Sequence, residues 1–162
     1  MIRYQKDLTG IDSDMLEGFF VGWETPPTSY RLLSILRSSY AFCLAIDTDT
    51  SNVVGFVTAI SDGIISAYMP LLEVLPAYQG QGIGKELVAR MTERLSHLYM
   101  VDVLHDPELA GFYGQCGMTA ATGSIMRNYE QQSCPVESDC DRCAAPRCAP
   151  PGSGGFCGYM EF

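Results

Sequence analysis

The sequence predicts an α/β domain of the α+β kind, in which strands pair mostly antiparallel and helices pack on the sheet. Two observations carry this. The runs at 41–46 and 53–60 are rich in β-formers and are joined by Asp47-Thr48-Asp49-Thr50-Ser51-Asn52, a polar stretch suited to a hairpin turn. Further along, Leu87, Val88, Met91 and Leu95 recur at helical spacing while Lys85, Glu86, Arg90, Glu93 and Arg94 fill the positions between them. That is the pattern of an amphipathic helix resting on a sheet.

Taken in order, residues 2–5 suit a short first strand. Asp12 or Ser13 can cap a helix carrying Met15, Leu16, Phe19 and Phe20 on one side, and residues 23–27 break the pattern. Thr28 or Ser29 can start a second helix, with Leu32, Leu33, Ile35, Leu36 and Tyr40 as its apolar positions. After the hairpin, residues 64–75 read as the next strand. Pro70 marks an interruption or bulge within it, because proline has no N–H to give to a ladder. The amphipathic helix then runs from Ile83, and His97 is expected at its end, where an imidazole can meet terminal carbonyls. Residues 99–104 read as a buried strand, Pro107 suits a helix's first turn, Gly117 can end that helix, and residues 118–129 supply closing β segments.

A chain of 162 residues holds one domain with a real core plus a short appendage. The boundary is placed between residues 1–130 and a Cys-, Pro- and Gly-rich tail at 131–162. A hydrophobic fraction of 47% with 18% charged residues describes a globular chain. The net charge of −9 and pI near 4.5 argue against nucleic acid as a partner, since phosphate binding needs a basic surface, and leave cationic substrates open. The N-terminus lacks the apolar region of a signal peptide, and no apolar run reaches the ~18 residues of a membrane span. A cytoplasmic location without membrane contact is therefore expected. In that reducing compartment the seven cysteines suit metal ligation or free thiols better than disulfides, and five of them lie beyond residue 130.

The stretch Gln79-Gly80-Gln81-Gly82-Ile83-Gly84-Lys85 points to a ligand class. Glycines at alternate positions let the chain turn sharply and bring its N–H groups to an anion, and the following helix adds its positive end. Two well-known phosphate loops do not fit. A P-loop needs Ser or Thr after its Lys and a glycine six residues before it, but Glu86 follows Lys85 and Gln79 holds the glycine's place. A dinucleotide fingerprint read from Gly80 needs a third glycine where Lys85 stands, although Asp102 is available for a ribose.

Gln79, Gly82 and Gly84 instead resemble the Q/R-x-x-G-x-G/A signature of the GNAT superfamily, the acetyl-CoA-dependent N-acyltransferases. On one side, Leu71-Leu72-Glu73-Val74-Leu75-Pro76 looks like that family's fourth strand. On the other, residues 106–118 are similar to its N-x-x-A-x-x-F/L-Y-x-x-x-G-F element: Phe112, Tyr113 and Gly117 match, while Asp106, Leu109 and Met118 replace Asn, Ala and Phe. The resemblance covers residues 1 to about 129 and is weak outside the motifs.

The resemblance implies a GNAT-like fold, a central mixed, mostly antiparallel twisted sheet flanked by about four helices, with the first two helices beside the acceptor site. It implies acetyl-CoA as co-substrate and transfer of the acetyl group to a primary amine by direct attack in a ternary complex. The alternative is a non-catalytic acyl-CoA-binding module whose cysteine tail contacts a partner. For the diphosphate, the backbone of Gly80, Gln81, Gly82, Ile83, Gly84 and Lys85 would serve, with Gln79 as side-chain or structural support. The backbone of Leu72, Glu73 and Val74 would pair with the pantetheine arm, an amide near Val74 polarising the thioester oxygen. Tyr113 matches the family's tyrosine, and its phenol can protonate the departing thiolate. Asp106, in place of Asn, loses a donor toward the same arm but can cap the helix that Pro107 begins.

For the general base, Glu73 is the candidate, as a carboxylate in an apolar strand where burial raises the pKa; Tyr68, Asp102 and His105 are the reserves. Which face Glu73 occupies depends on the bulge. Neither Cys43 nor Cys116 has the context of a catalytic nucleophile. In the tail, Cys134, Cys140, Cys143 and Cys148 could close a structural zinc site around a single CxxC, against metal-free thiols or a redox pair. Phe156, Tyr159, Met160 and Phe162 suit docking over the acceptor cleft, on the domain, or on a second subunit in a homodimer. The acceptor is a small-molecule or protein amine that these residues leave open.

Overall fold

The computed structural model describes residues 1–133. Strands β1 (Ile2–Gln5), β2 (Ala41–Asp47), β3 (Val53–Ser61), β4 (Ser66–Tyr68), β5 (Leu72–Val74) and β6 (Met100–Asp102) form one mixed sheet. The order is β1-β2-β3-β4-β6, with β5 pairing on β3. Every pairing is antiparallel except β4 with β6, which is parallel. The hairpin predicted between 41–46 and 53–60 is the centre of this sheet.

Three α-helices are present among the described residues: α1 (Ser29–Ser38), α2 (Ile83–Arg94) and α3 (Ala110–Gln115). Helix α1 starts where Thr28 accepts the N–H of Arg31 as an N-cap. Each sheet face has its own core. On one face Leu87, Met91 and Leu95 from the α2 segment pack on Cys43, Ala45, Val57 and Ala59. On the other, Leu32, Leu33 and Leu36 of α1 pack with Leu16, Phe19 and Phe20 on Leu44, Ile46 and Phe56.

Four expectations change. The helix expected after Asp12 is a single 3-10 turn, Asp14–Leu16. Asp12 does accept the N–H groups of Asp14 and Met15 as a cap would, but the backbone turns extended at Glu17 and left-handed at Gly18 and Phe20, and the apolar residues reach the core from a loop. The strand at 99–104 is shorter and lies at the sheet edge among the described residues, with Met100 and Asp102 exposed rather than buried. Residues 118–128 form no strand, so the closing β segments do not appear there. His97 lies beyond α2, its Nε2 3.5 Å from the Tyr40 hydroxyl.

The run at 64–75 holds the feature that shapes the site. Ile60 faces Tyr68 and Val57 faces Leu72, so two residues of β3 (Thr58 and Ala59) stand opposite three (Met69, Pro70 and Leu71). This one-residue bulge divides the expected strand into β4 and β5, as the proline foretold.

Candidate active site

The bulge leaves one edge of β5 unpaired. Thr58 N–H donates to the Leu71 carbonyl at 3.0 Å and Leu75 N–H donates to the Val54 carbonyl at 2.9 Å. Antiparallel alternation then puts Glu73 in the ladder with Phe56 and turns the N–H and C=O groups of Leu72 and Val74 away from β3. On that outer side β6 follows β4 only as far as Asp102, whose carbonyl accepts the Met69 N–H at 2.9 Å, and then departs. A cavity of about 1210 Å³ opens beside the gap, lined by Tyr68, Leu72, Asp102, His105, Asp106 and Tyr113 among others.

The glycine-rich loop lies at the other end of β5. Gly80 and Gly82 have φ of +73° and +82°, the left-handed region open to glycine, and Gly82 is the residue ahead of α2. The N–H groups of Gly80 to Lys85 donate to no acceptor among the described residues. They fit an anion carrying several oxygens, as a diphosphate does. Two side chains fix the loop from behind. Gln79 Nε2 donates to the Val74 carbonyl at 2.9 Å, and the Tyr78 hydroxyl donates to Asp47 Oδ2 at 2.8 Å. Gln79 is thus seated as a structural support rather than pointed at a ligand. Lys85 donates through Nζ to Gln115 of α3.

Helix α3 reaches this loop through Phe112. A Cβ placed on Gly84 would lie 3.5 Å from the Phe112 ring, an ordinary van der Waals distance, so the ring stands beside the first turn of α2. Tyr113 follows, buried, with its ring stacked on His105 at 4.7 Å and edge-on to Phe112 at 5.0 Å. Burial pushes its phenol above the ordinary value, and the Cys116 thiol and Tyr68 phenol nearby add to the effect. The phenol is therefore a proton donor at neutral pH. Asp106 precedes the 3-10 turn Pro107–Leu109 that leads into α3, but its carboxylate makes no capping bond; its backbone carbonyl accepts the Leu109 N–H instead.

Glu73 lies on the sheet face of its partner Phe56, the α1 face, and its carboxylate accepts Phe20 N–H at 2.8 Å and Val21 N–H at 3.0 Å. The structure thus gathers Leu72, Asp106 and Tyr113 around the cleft with the reserve residues Tyr68, Asp102 and His105. It sets the cradle at one end and turns Glu73 to the face opposite α2. Cys43 is buried and Cys116 half-buried, both as free thiols. Cys134, Cys140, Cys143 and Cys148 lie outside the described residues, and among the described residues no group of three or more His, Cys, Asp or Glu could hold a metal ion. No helix among the described residues is long and apolar enough to cross a membrane.

A mixed sheet opened by a bulge, with backbone amides free at the start of the helix that follows, has the layout of an anion-binding domain. The chain belongs to the acetyltransferase (GNAT) family, whose profile matches residues 8–118. It is similar to an acetyltransferase candidate of Deinococcus radiodurans R1, with 41% identity and a TM-score of 0.79 over 82% of this chain and 92% of that one. A GNAT-family acetyltransferase of Streptococcus pneumoniae TIGR4 shares 31% identity at a TM-score of 0.62, over 79% of this chain and 98% of that one. An uncharacterised N-acetyltransferase of Gracilaria tenuistipitata var. liui is 28% identical over 100 residues, which are 60% of this chain and 55% of that protein. The chain spans about half the length of the curated relatives it matches. Acetyl-CoA is the acyl donor that membership in the family implies.

Proposed function

We propose that the protein moves the acetyl group of acetyl-CoA to a primary amine, small or protein-borne, by direct attack within a ternary complex. When bound, acetyl-CoA supplies a thioester whose carbonyl carbon is open to the amine. The observation that carries this reading is the unpaired edge of β5, set between a row of unpartnered N–H groups and a cleft that holds Tyr113. The amides of Gly80 to Lys85 would hold the diphosphate. Leu72 offers an N–H and a C=O to the amide groups of the pantetheine arm, while Val74 offers an N–H to the thioester oxygen, a donor worth about 3 kcal/mol in comparable sites.

Glu73 stands next to Val74 on the α1 face, so an amine arriving from that face meets the carboxylate. Each carboxylate oxygen retains a lone pair beyond its bond to the loop, and one of these takes the proton shed by the amine nitrogen as the N–C bond forms. Tyr113 gives its proton to the sulfur as the C–S bond breaks; the phenolate is reprotonated from solvent and Glu73 returns its proton there. The acidic chain favours an acceptor that arrives as an ammonium ion, which sheds one proton to solvent so that the neutral amine attacks.

The test is thiol release from acetyl-CoA across a panel of amines. Tyr113→Phe should lower kcat by about 100-fold or more, the scale of general acid catalysis, with the Kd for acetyl-CoA unchanged. Unchanged turnover would end the acid role. Acetyl-CoA binding without thiol release on any amine would instead make the protein a binding module.

A further inference from the structure

We propose that Glu73 is also the latch of the loop on the α1 face of the sheet, and that the proton it takes up during transfer releases that loop. This rests on the proposed role of Glu73 as base. The two oxygens of the carboxylate accept from consecutive backbone amides, Phe20 at 2.8 Å and Val21 at 3.0 Å, across more than fifty residues of chain. Consecutive N–H groups converge on one anion when the backbone alternates hand, and Phe20 has φ of +63°. A large side chain rarely adopts that conformation, so something must hold it.

Among the described residues, the bonds to Glu73 are the only hydrogen bonds joining residues 17–22 to the sheet. Gly18 and Gly22, with φ of +86° and +82°, bracket the segment as residues that can change backbone conformation cheaply. The loop also carries a wall of rings: Phe20 stands 6.3 Å from Phe56 and 5.1 Å from Trp23, and the Trp23 N–H closes a turn onto the Phe20 carbonyl. Val21, bonded to Glu73, and Trp23, against Phe20, are both exposed, on the side from which an acceptor would approach.

A carboxylate makes charge-assisted bonds to both amides. Once protonated, on a lone pair turned away from the loop, it loses its charge, and the two bonds fall from charge-assisted to neutral strength. Both bonds weaken together, which leaves the left-handed Phe20 held only by the packing of its ring against Phe56 and Trp23. The base would thus report to the loop that the amine has given up its proton, and the acetylated product would leave past an open wall.

Amide hydrogen exchange of the full chain, read residue by residue, tests this alongside turnover. In the wild type the Phe20 and Val21 amides should be protected at least tenfold over Gly22 and Glu24. In Glu73→Gln, which is neutral like the protonated acid, protection at Phe20 and Val21 should fall at least tenfold while Leu44 and Val57 stay protected. The KM for the amine should rise with the KM for acetyl-CoA unchanged. Unchanged protection at both amides overturns the latch, whatever happens to activity. Loss of thiol release with protection intact leaves the base and removes the latch; loss of protection with turnover intact removes the base and overturns release by a catalytic proton. Should Glu73→Gln fail to fold, Glu73→Asp keeps the charge but draws it back by one methylene, and the latch then requires both amides to exchange faster. Wild-type amides exchanging at the rate of Gly22 would also overturn it.

Discussion

At the scale of single residues, Asp7, Asp12, Asp47, Asp62 and Glu73 among the described residues spend their carboxylates on backbone N–H groups. Asp62 accepts the N–H groups of Ile64, Ile65 and Ser66 at 2.9, 3.0 and 3.1 Å, and these bonds lower its pKa from 3.8 to about 2. A pKa depressed in the folded state stabilises above the unfolded value, and that contribution disappears as pH falls from about 4 toward 2. Asp62→Ala should therefore lower Tm at neutral pH, with the gap to the wild type closing over that acid window in a thermal melt followed by circular dichroism. Glu73 shows the same habit in the site. Its place in an apolar strand was legible in the sequence, but its partners were not, because the amides of Phe20 and Val21 belong to a distant segment and any residue type carries an N–H. The glycine loop was legible because positive φ at Gly80 and Gly82 restricts which residue can stand there.

At the scale of elements, periodicity was reliable where both faces of an element are settled by burial. Helix α2 follows its apolar spacing closely, with Leu87 and Val88 fully buried. Leu87→Ala should cost about 2–5 kcal/mol of stability, read as a lowered urea midpoint with unchanged slope, because the side chain is enclosed between helix and sheet. The first predicted helix failed for a local reason: its apolar residues are buried as foreseen, but left-handed backbone at Gly18 and Phe20 converts the segment into a loop. The strand after α2 was read as buried from its composition, whereas Met100 and Asp102 are exposed at an edge. Hydrophobicity alone does not say which neighbour a strand will have. Pro70 was the better guide, since a missing N–H is a fact about the ladder itself.

At the scale of the whole molecule, the two cores and the cleft between β5 and the chain after β6 draw, among the described residues, on positions 2–127. The last described turn, Tyr129–Gln131, is followed by Gln132, whose Oε1 accepts from the Thr25 hydroxyl at 3.1 Å beside the loop that carries Trp23. A chain cut after Ser133 should accordingly keep cooperative unfolding and acetyl-CoA binding, as measured by calorimetry. Loss of either would assign the cysteine-rich segment to the folded unit. Metal analysis of the full chain, with and without that segment, would test zinc at Cys134, Cys140, Cys143 and Cys148.

The surplus residue at the bulge has a geometric effect larger than its size. With it, consecutive positions of β5 serve two sides: the Val74 amide lies at the unpaired edge and the Glu73 side chain on the α1 face, which in the proposed function are the donor's and the acceptor's sides. In the proposed function the sheet is a partition between the two substrates, and the bulge is its doorway. Had the β4–β5 run kept even step with β3, β5 would have continued straight from β4 and stayed zipped to the strand beyond. The donor and acceptor would then have met a closed wall.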